Sequence, residues 1–229
     1  MPARRKTPPI PKIAPDLAVA FGARLRAWYR RNHRDLPWRK TRDPYRVLIS
    51  ELMLQQTQVS RVLDFYARFL ETFPTIQHLA DAKPKRVMES WEGLGYYARA
   101  RNLHKLAKHV TREGADGTLP SDPAELRKLP GIGAYTAGAV ASFAYEKRAA
   151  LVDTNVARVL SRVFAPKLNP KRPADLKRIW AIAEQTLPRT GAAVWTQNQA
   201  LMELGALVCT ARVKRCGACP LRRTCKSAE

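Results

Sequence analysis

The sequence predicts an all-α protein built as two helical lobes, and three observations point to it. Apolar residues recur with the 3.6-residue period of a helix in segment after segment. Stretches alternating with period two are almost absent. Pro, Gly and Asp punctuate the chain where helices should start and stop. With 229 residues and 45% hydrophobic content the chain can bury one large core or two small ones. It has no internal repeat and no linker long enough to separate two independent domains, so the lobes are expected to pack on one another with a groove between them.

Residues 1–15 are basic and proline-rich, lack the apolar stretch of a secretory signal, and read as a disordered tail. Asp16 to Arg31 reads as the first helix, broken by His33-Arg34-Asp35-Leu36-Pro37-Trp38. Asp43-Pro44 opens the next, which carries Val47, Leu48, Leu52 and Met53 and continues through Leu54-Gln55-Gln56-Thr57-Gln58. Phe73-Pro74 closes the segment after it. Further helices fit Lys85 to Trp91, Tyr97 to Arg112 and Asp122 to Leu129. The last begins Asp122-Pro123-Ala124-Glu125, a cap, a first-turn proline and a glutamate at N3. After Leu129-Pro130-Gly131-Ile132-Gly133 comes a helix from about Ala134 to Ala144, and Asp153 begins another.

Charge and cysteines narrow the function. There are 41 Lys+Arg against 19 Asp+Glu, a net charge of +22, which favours a polyanionic partner such as nucleic acid. No run of about 18 apolar residues exists to cross a membrane. All four cysteines fall in one segment, Cys209-x6-Cys216-x2-Cys219-x5-Cys225. This is the pattern of a metal site in a reducing compartment rather than of a disulfide framework. Zinc and a four-iron cluster both accept four thiolates; a single C-x2-C pair leans toward the cluster. Arg212, Lys214, Arg215, Arg222 and Arg223 make the same loop basic.

Several residues have chemistry in reach. Gly131 and Gly133 permit a tight hairpin before a helix N-terminus able to hold a phosphate, or form an ordinary helix connection. Asp153 in Leu151-Val152-Asp153-Thr154-Asn155-Val156 is a helix cap or a catalytic carboxylate. Glu51 lies on an apolar helix face; buried, its carboxyl would have a raised pKa and carry a proton at neutral pH, whereas at the edge it would reach outward to water. Gln55, Gln56 and Gln58 could bond base edges or form a solvated patch. Tyr96 and Tyr97, beside Arg99 and Arg101, could stack on bases or sit half-buried in the core.

Taken together, Leu36-Pro37-Trp38-Arg39, Ser50 to Val59, Gly93 to Asn102, the hairpin, Val152 to Val156 and the cysteine spacing resemble the helix–hairpin–helix DNA glycosylases with a Gly/Pro-rich loop and a catalytic aspartate. Within that superfamily the likeness is greatest to the adenine-specific MutY type, and it runs from about Leu25 to Cys225.

The resemblance implies a six-helix lobe over residues 37–145, with the helix–hairpin–helix at about 122–144, and an iron–sulfur lobe from residues 16–36 and 146–229. One [4Fe–4S] cluster would be held by Cys209, Cys216, Cys219 and Cys225. It further implies that Glu51 protonates the purine and later activates water, that Asp153 stabilises an oxocarbenium-like sugar, and that Asn155 orients Asp153. Bifunctional relatives of the endonuclease III type carry a nucleophilic lysine just after the hairpin. Tyr135 stands there in this chain, which implies a monofunctional enzyme. Gln199, next to Asn198, would read adenine. Tyr96 would wedge into the opposite strand, Gln56 would help fill the vacated stack, Gln55 would be a further DNA-binding residue, and Arg34 would border the pocket.

The expected function is removal of adenine mispaired with guanine or 8-oxoguanine. The alternatives are a thymine or uracil mismatch glycosylase on the same scaffold and a non-catalytic damage-binding protein. The expected partner is mismatched double-stranded DNA, not a membrane, and the expected state is a monomer in the cytoplasm, nucleoid-associated if bacterial. Adenine-type relatives continue into a Nudix-like domain, whereas this sequence ends four residues after Cys225.

Overall fold

The computed structural model describes residues 10–112 and 117–229. Among the described residues there is no strand, and the one β-bridge, Cys209 with Lys214, is isolated. None of the described helices is long and apolar enough to cross a membrane. Eleven α-helical segments follow in order: α1 Pro15–Asn32, α2 Pro44–Leu54, α3 Val59–Thr72, α4 Ile76–Asp81, α5 Pro84–Ser90, α6 Ala98–Arg112, α7 Pro123–Leu126, α8 Ala134–Phe143, α9 Thr154–Phe164, α10 Pro173–Thr186 and α11 Gly191–Leu207. Five of them open on proline, whose missing N–H costs nothing in the first turn. Asp43, Thr75, Asp122 and Asp153 accept backbone N–H groups at the starts of α2, α4, α7 and α9.

The chain divides into two compact units. One takes the described residues up to His33 together with Arg148–Glu229; the other is Arg34–Lys147. In the first unit α1 packs on α10 and α11, and α9 packs on the same two helices. Phe21, Leu25, Leu160, Ile179, Ile182 and Leu204 fill its core, and Phe21 meets Phe164 edge-on with ring centroids 5.0 Å apart.

In the second unit α8 is buried on every side, from Thr136 to Phe143, and lies against α2 and α7. Helices α4 and α5 pack on α6, and Phe69, Phe73 and Trp91 form an aromatic cluster beneath them. This unit holds seven helical segments among the described residues, because Lys83-Pro84 separates two short helices, α4 and α5.

Several sequence expectations are corrected. Helix α2 does not run through the glutamines. It stops at Leu54, Gln55 is its C-cap, and Gln56 adopts a left-handed φ of +58°. The Arg99 side chain takes the carbonyls of Leu52, Met53 and Gln55, the groups a further helical turn would have used. Helix α7 is only one turn long. Asp122 caps it, while the Glu125 carboxylate receives Lys128 Nζ at 2.7 Å. Tyr96 and Tyr97 are exposed rather than half-buried in the core. Of the tail expected over residues 1–15, residues 1–9 lie outside the described residues. Its last part is docked rather than disordered: Ile13 N–H donates to Gln185 Oε1 at 3.0 Å, and Gln185 Nε2 donates to the Pro11 carbonyl at 3.1 Å.

The hairpin glycines differ physically. Gly131 has φ +79°, and a Cβ there would lie 2.6 Å from Asn102 Cβ. Gly133 has φ −88° and open space around a Cβ. Gly131→Ala is therefore expected to cost about 1–3 kcal/mol of stability, read from the urea midpoint. Gly133→Ala should cost about 1 kcal/mol or less.

Candidate active site and cysteine loop

Glu51 sits in the middle of α2, a helix started by the Asp43 carboxylate accepting Arg46 N–H at 2.8 Å. The helix packs on α8, and Glu51 is only 3% exposed. Burial so deep requires a hydrogen-bond partner. Tyr135, in the first turn of α8, supplies one, its Oη donating to Glu51 Oε2 at 2.6 Å. One turn on, Gln55 Nε2 donates to Thr136 Oγ1 at 3.2 Å, so the end of α2 is tied to the same helix start. Gln55 is thereby engaged within the protein, whereas Gln56, on its left-handed backbone, is exposed.

Tyr96 is 56% exposed and also left-handed, with φ +50°. The residue that organises this region, Arg99, was noted in the sequence only as a neighbour of Tyr96 and Tyr97. Its Nη2 donates to Thr57 Oγ1 at 3.3 Å and to the Gly95 carbonyl at 3.1 Å, besides the three α2 carbonyls held by Nη1. Arg34 is half-buried, and its carbonyl accepts Arg39 Nη1 at 2.9 Å.

In the other unit Asp153 is the N-cap of α9. One carboxylate oxygen accepts Val156 N–H at 2.6 Å, and the other accepts Asn155 Nδ2 at 3.1 Å. Burial pushes the Asp153 carboxyl above its ordinary range, against the opposing pull of these hydrogen bonds and of the Arg158 charge. Asn155 is held in turn by Arg158 Nη2, 2.7 Å from its Oδ1. Gly205 makes room for it, because a Cβ on Gly205 would lie 2.7 Å from Asn155 Cβ.

Arg158 continues outward. Its Nη2 donates to the Gly205 carbonyl at 2.8 Å and its Nε to the Cys209 carbonyl at 2.8 Å. Arg162, one turn further along α9, reaches Cys209 Sγ at 3.3 Å and the Thr210 carbonyl at 2.8 Å. Neither arginine stood out in the sequence, since nothing separates an internal arginine from a surface one in a chain this basic.

The four cysteines line a single pocket with apolar walls that include Val159, Leu204 and Leu221. The Cys209–Lys214 bridge and two 3-10 turns, Cys216–Ala218 and Arg222–Thr224, deliver them there. Burial raises the Cys219 and Cys225 thiols above their usual range, so thiolates there call for a metal charge. Among the described residues no three His, Cys, Asp or Glu side chains gather around one point as ligands of a single ion would. Four thiolates on one zinc lie about 3.8 Å apart, given Zn–S bonds of about 2.3 Å. Four thiols lining one pocket are a donor set that zinc and a four-iron cluster both accept.

Gln199 and Asn198 lie buried on α11, and Asn198 Nδ2 donates to the Ala149 carbonyl at 3.0 Å. That bond gives Asn198 a structural task, holding the segment that leads into Asp153.

Known proteins can be set beside this geometry. The model of the family described as HhH-GPD superfamily base excision DNA repair protein matches residues 49–184. The adenine DNA glycosylase of Rattus norvegicus is 42% identical, over 97% of this chain and 45% of that protein. That of Buchnera aphidicola is 41% identical, over 91% and 58%. That of Mycobacterium tuberculosis strain H37Rv is 42% identical, over 93% and 71%. The chain thus spans about half the length of the first two of these curated relatives. Among solved structures, a thermostable thymine-DNA glycosylase superposes with a TM-score of 0.83 at 30% identity, covering 92% of this chain and 95% of that one. A trapped endonuclease III–DNA covalent intermediate superposes with a TM-score of 0.77 at 23% identity, covering 94% and 97%, a likeness of fold. A family model that spans both carboxylates, the hairpin and the helices carrying them, joined by relatives at this identity, makes the chain a member of the HhH-GPD superfamily of base excision DNA repair proteins.

Proposed function

We propose that this chain is a monofunctional DNA glycosylase that hydrolyses the N-glycosidic bond of adenine mispaired with guanine or 8-oxoguanine in duplex DNA. The observation that carries the reading is the 2.6 Å hydrogen bond from Tyr135 to a buried Glu51. It offers an acid shielded from water and a phenol where a Schiff-base enzyme would need an amine. Glu51 donates a proton to the purine, and the resulting carboxylate then activates water. Asp153, its carboxylate oriented by Val156 N–H and Asn155 Nδ2, stabilises positive charge on the sugar. Adenine as the base rests on the names of the relatives. A second reading, thymine or uracil removed from a mismatch with guanine, draws on the thermostable thymine-DNA glycosylase likeness.

The four cysteines would hold one [4Fe–4S] cluster, which when bound adds a rigid, redox-capable thiolate-ligated centre. Arg162 then neutralises charge at Cys209, and Arg158 fixes the loop backbone against α9. Iron analysis is expected to give about four irons per chain and a brown protein; a colourless, zinc-loaded protein contradicts this.

A panel of A:G, A:8-oxoguanine, T:G and U:G duplexes, read by alkali cleavage, tests the substrate. Adenine release should dominate, and dominant T:G cleavage overturns the choice of base. Borohydride should trap no covalent adduct. Glu51→Gln and Asp153→Asn should each slow excision about 10²–10⁴-fold while retaining duplex binding.

Stability supplies a separate check on Asp153. A carboxyl whose pKa is raised in the folded state binds its proton more readily there than in the unfolded chain. Its contribution to stability therefore falls as pH rises from its ordinary 3.8 through the higher folded value. Asp153→Asn removes that penalty. The wild type is expected to lose melting temperature relative to the variant as the pH rises above 3.8, on top of any constant difference from the lost Asn155 hydrogen bond; a difference between the two that does not change with pH contradicts the assignment.

A further inference from the structure

Arg99 stands in the first turn of α6, yet its partners all lie in two other segments. Nη1 reaches the carbonyls of Leu52 at 2.6 Å, Met53 at 3.1 Å and Gln55; Nη2 reaches Thr57 Oγ1 at 3.3 Å and the Gly95 carbonyl at 3.1 Å. Its guanidinium carbon lies 5.2 Å from the centre of the Tyr96 ring and 5.6 Å from that of Trp91. Trp91 Nε1 donates to the same Gly95 carbonyl at 3.1 Å. These partners are four carbonyls and one hydroxyl.

The two segments share a second property. Each carries a non-glycine residue in left-handed backbone, Gln56 at φ +58° and Tyr96 at φ +50°, and each of those side chains is exposed. Left-handed backbone is costly for residues with a Cβ and persists only where surrounding contacts impose it. The two planar Nη groups of arginine reach all five acceptors on two turns at once, while Nε is buried without a partner; a lysine ammonium has three donors and no fixed plane. Partial burial also lowers the Arg99 pKa, so the site bears a desolvation cost that surface capping would not require.

We propose that Arg99 is a positioning residue that clamps the Gln55–Thr57 turn and the Gly95–Tyr96 turn into one rigid two-pronged element, holding Gln56 and Tyr96 ready to enter a base stack. The inference deepens the glycosylase reading and rests on it. Ordering the prongs in the free protein removes an entropic cost that would otherwise fall on the step that opens the duplex. Arg99 then acts on extrusion of the base and not on cleavage of its bond to the sugar.

The test separates those steps. Single-turnover excision by Arg99→Lys is measured on a fully stacked A:8-oxoguanine duplex and on adenine opposite an abasic site within a mismatched, already unstacked stretch. The expected result is a loss of about 10–100-fold on the first and under about 3-fold on the second. 2-Aminopurine at the target position should brighten less on binding Arg99→Lys than on binding the wild type. In the background of Tyr96→Ala, the penalty of Arg99→Lys on the stacked duplex should shrink to under about 3-fold. Thr57→Val, which removes the Thr57 Oγ1 contacts with Arg99 Nη2 and with the Gln55 carbonyl but leaves Arg99 its bonds to Leu52 and Met53, should reproduce the substrate dependence more weakly and covers the case in which Arg99→Lys folds poorly. Equal losses on both substrates, or independent effects of Arg99→Lys and Tyr96→Ala, would reduce Arg99 to a helix cap and overturn the proposal. A wild type that releases no base from any duplex in the panel sinks the glycosylase reading instead, which is a different result.

Discussion

The contact between Tyr135 and Glu51 constrains much of the second unit. A carboxyl with so little access to water is tolerated only if a partner is fixed opposite it, and both residues ride on helices whose placement is set elsewhere. Helix α2 is fixed by its Asp43 cap and by its stop at Leu54. Helix α8 is fixed by the hairpin, where Gly131 must be left-handed, and by small residues that let neighbours approach on every side. A shift of either helix by one residue would rotate one partner out of reach. The hairpin that leads into α8 thus also sets the register of the phenol against the acid.

The helical class, most helix starts and the four-cysteine segment were legible because they depend on local signals: period, Pro at N1, Asp or Thr caps and ligand spacing. Glu51, Asp153 and Asn155 stood out in the sequence as candidates through motifs and resemblance, and the structure supplies their hydrogen bonds. What escaped reading depends on long-range contacts. Nothing near Gln56 announces that α2 ends there, because the group that ends it, Arg99, lies more than forty residues away. Helix α11 has no clear apolar stripe, since it is buried on most sides. Helix α4 is too short to establish a period.

Net charge was the strongest compositional signal and also the one that concealed most. Of the 41 Lys and Arg residues, many face solvent and suit a polyanion, but Arg99, Arg158 and Arg162 spend their donors on backbone carbonyls and side chains inside the protein. Arg158 alone spans Asn155, Gly205 and Cys209, and so joins the carboxylate-bearing helix start to the cysteine loop. Counting charges cannot distinguish these interior braces from surface cations; only the acceptors around each one do.

The first unit is assembled from segments on either side of Arg34–Lys147, with α1 packed against α10 and α11. As the chain leaves the ribosome, the continuous unit that follows α1 can complete its core while α1 still lacks the helices it will cover. The apolar face of α1, with Phe21, Leu25 and Tyr29, must wait through the synthesis of the whole intervening unit before its partners emerge. During that interval it is a surface for a chaperone to shield, a burden on biogenesis that the finished molecule no longer displays.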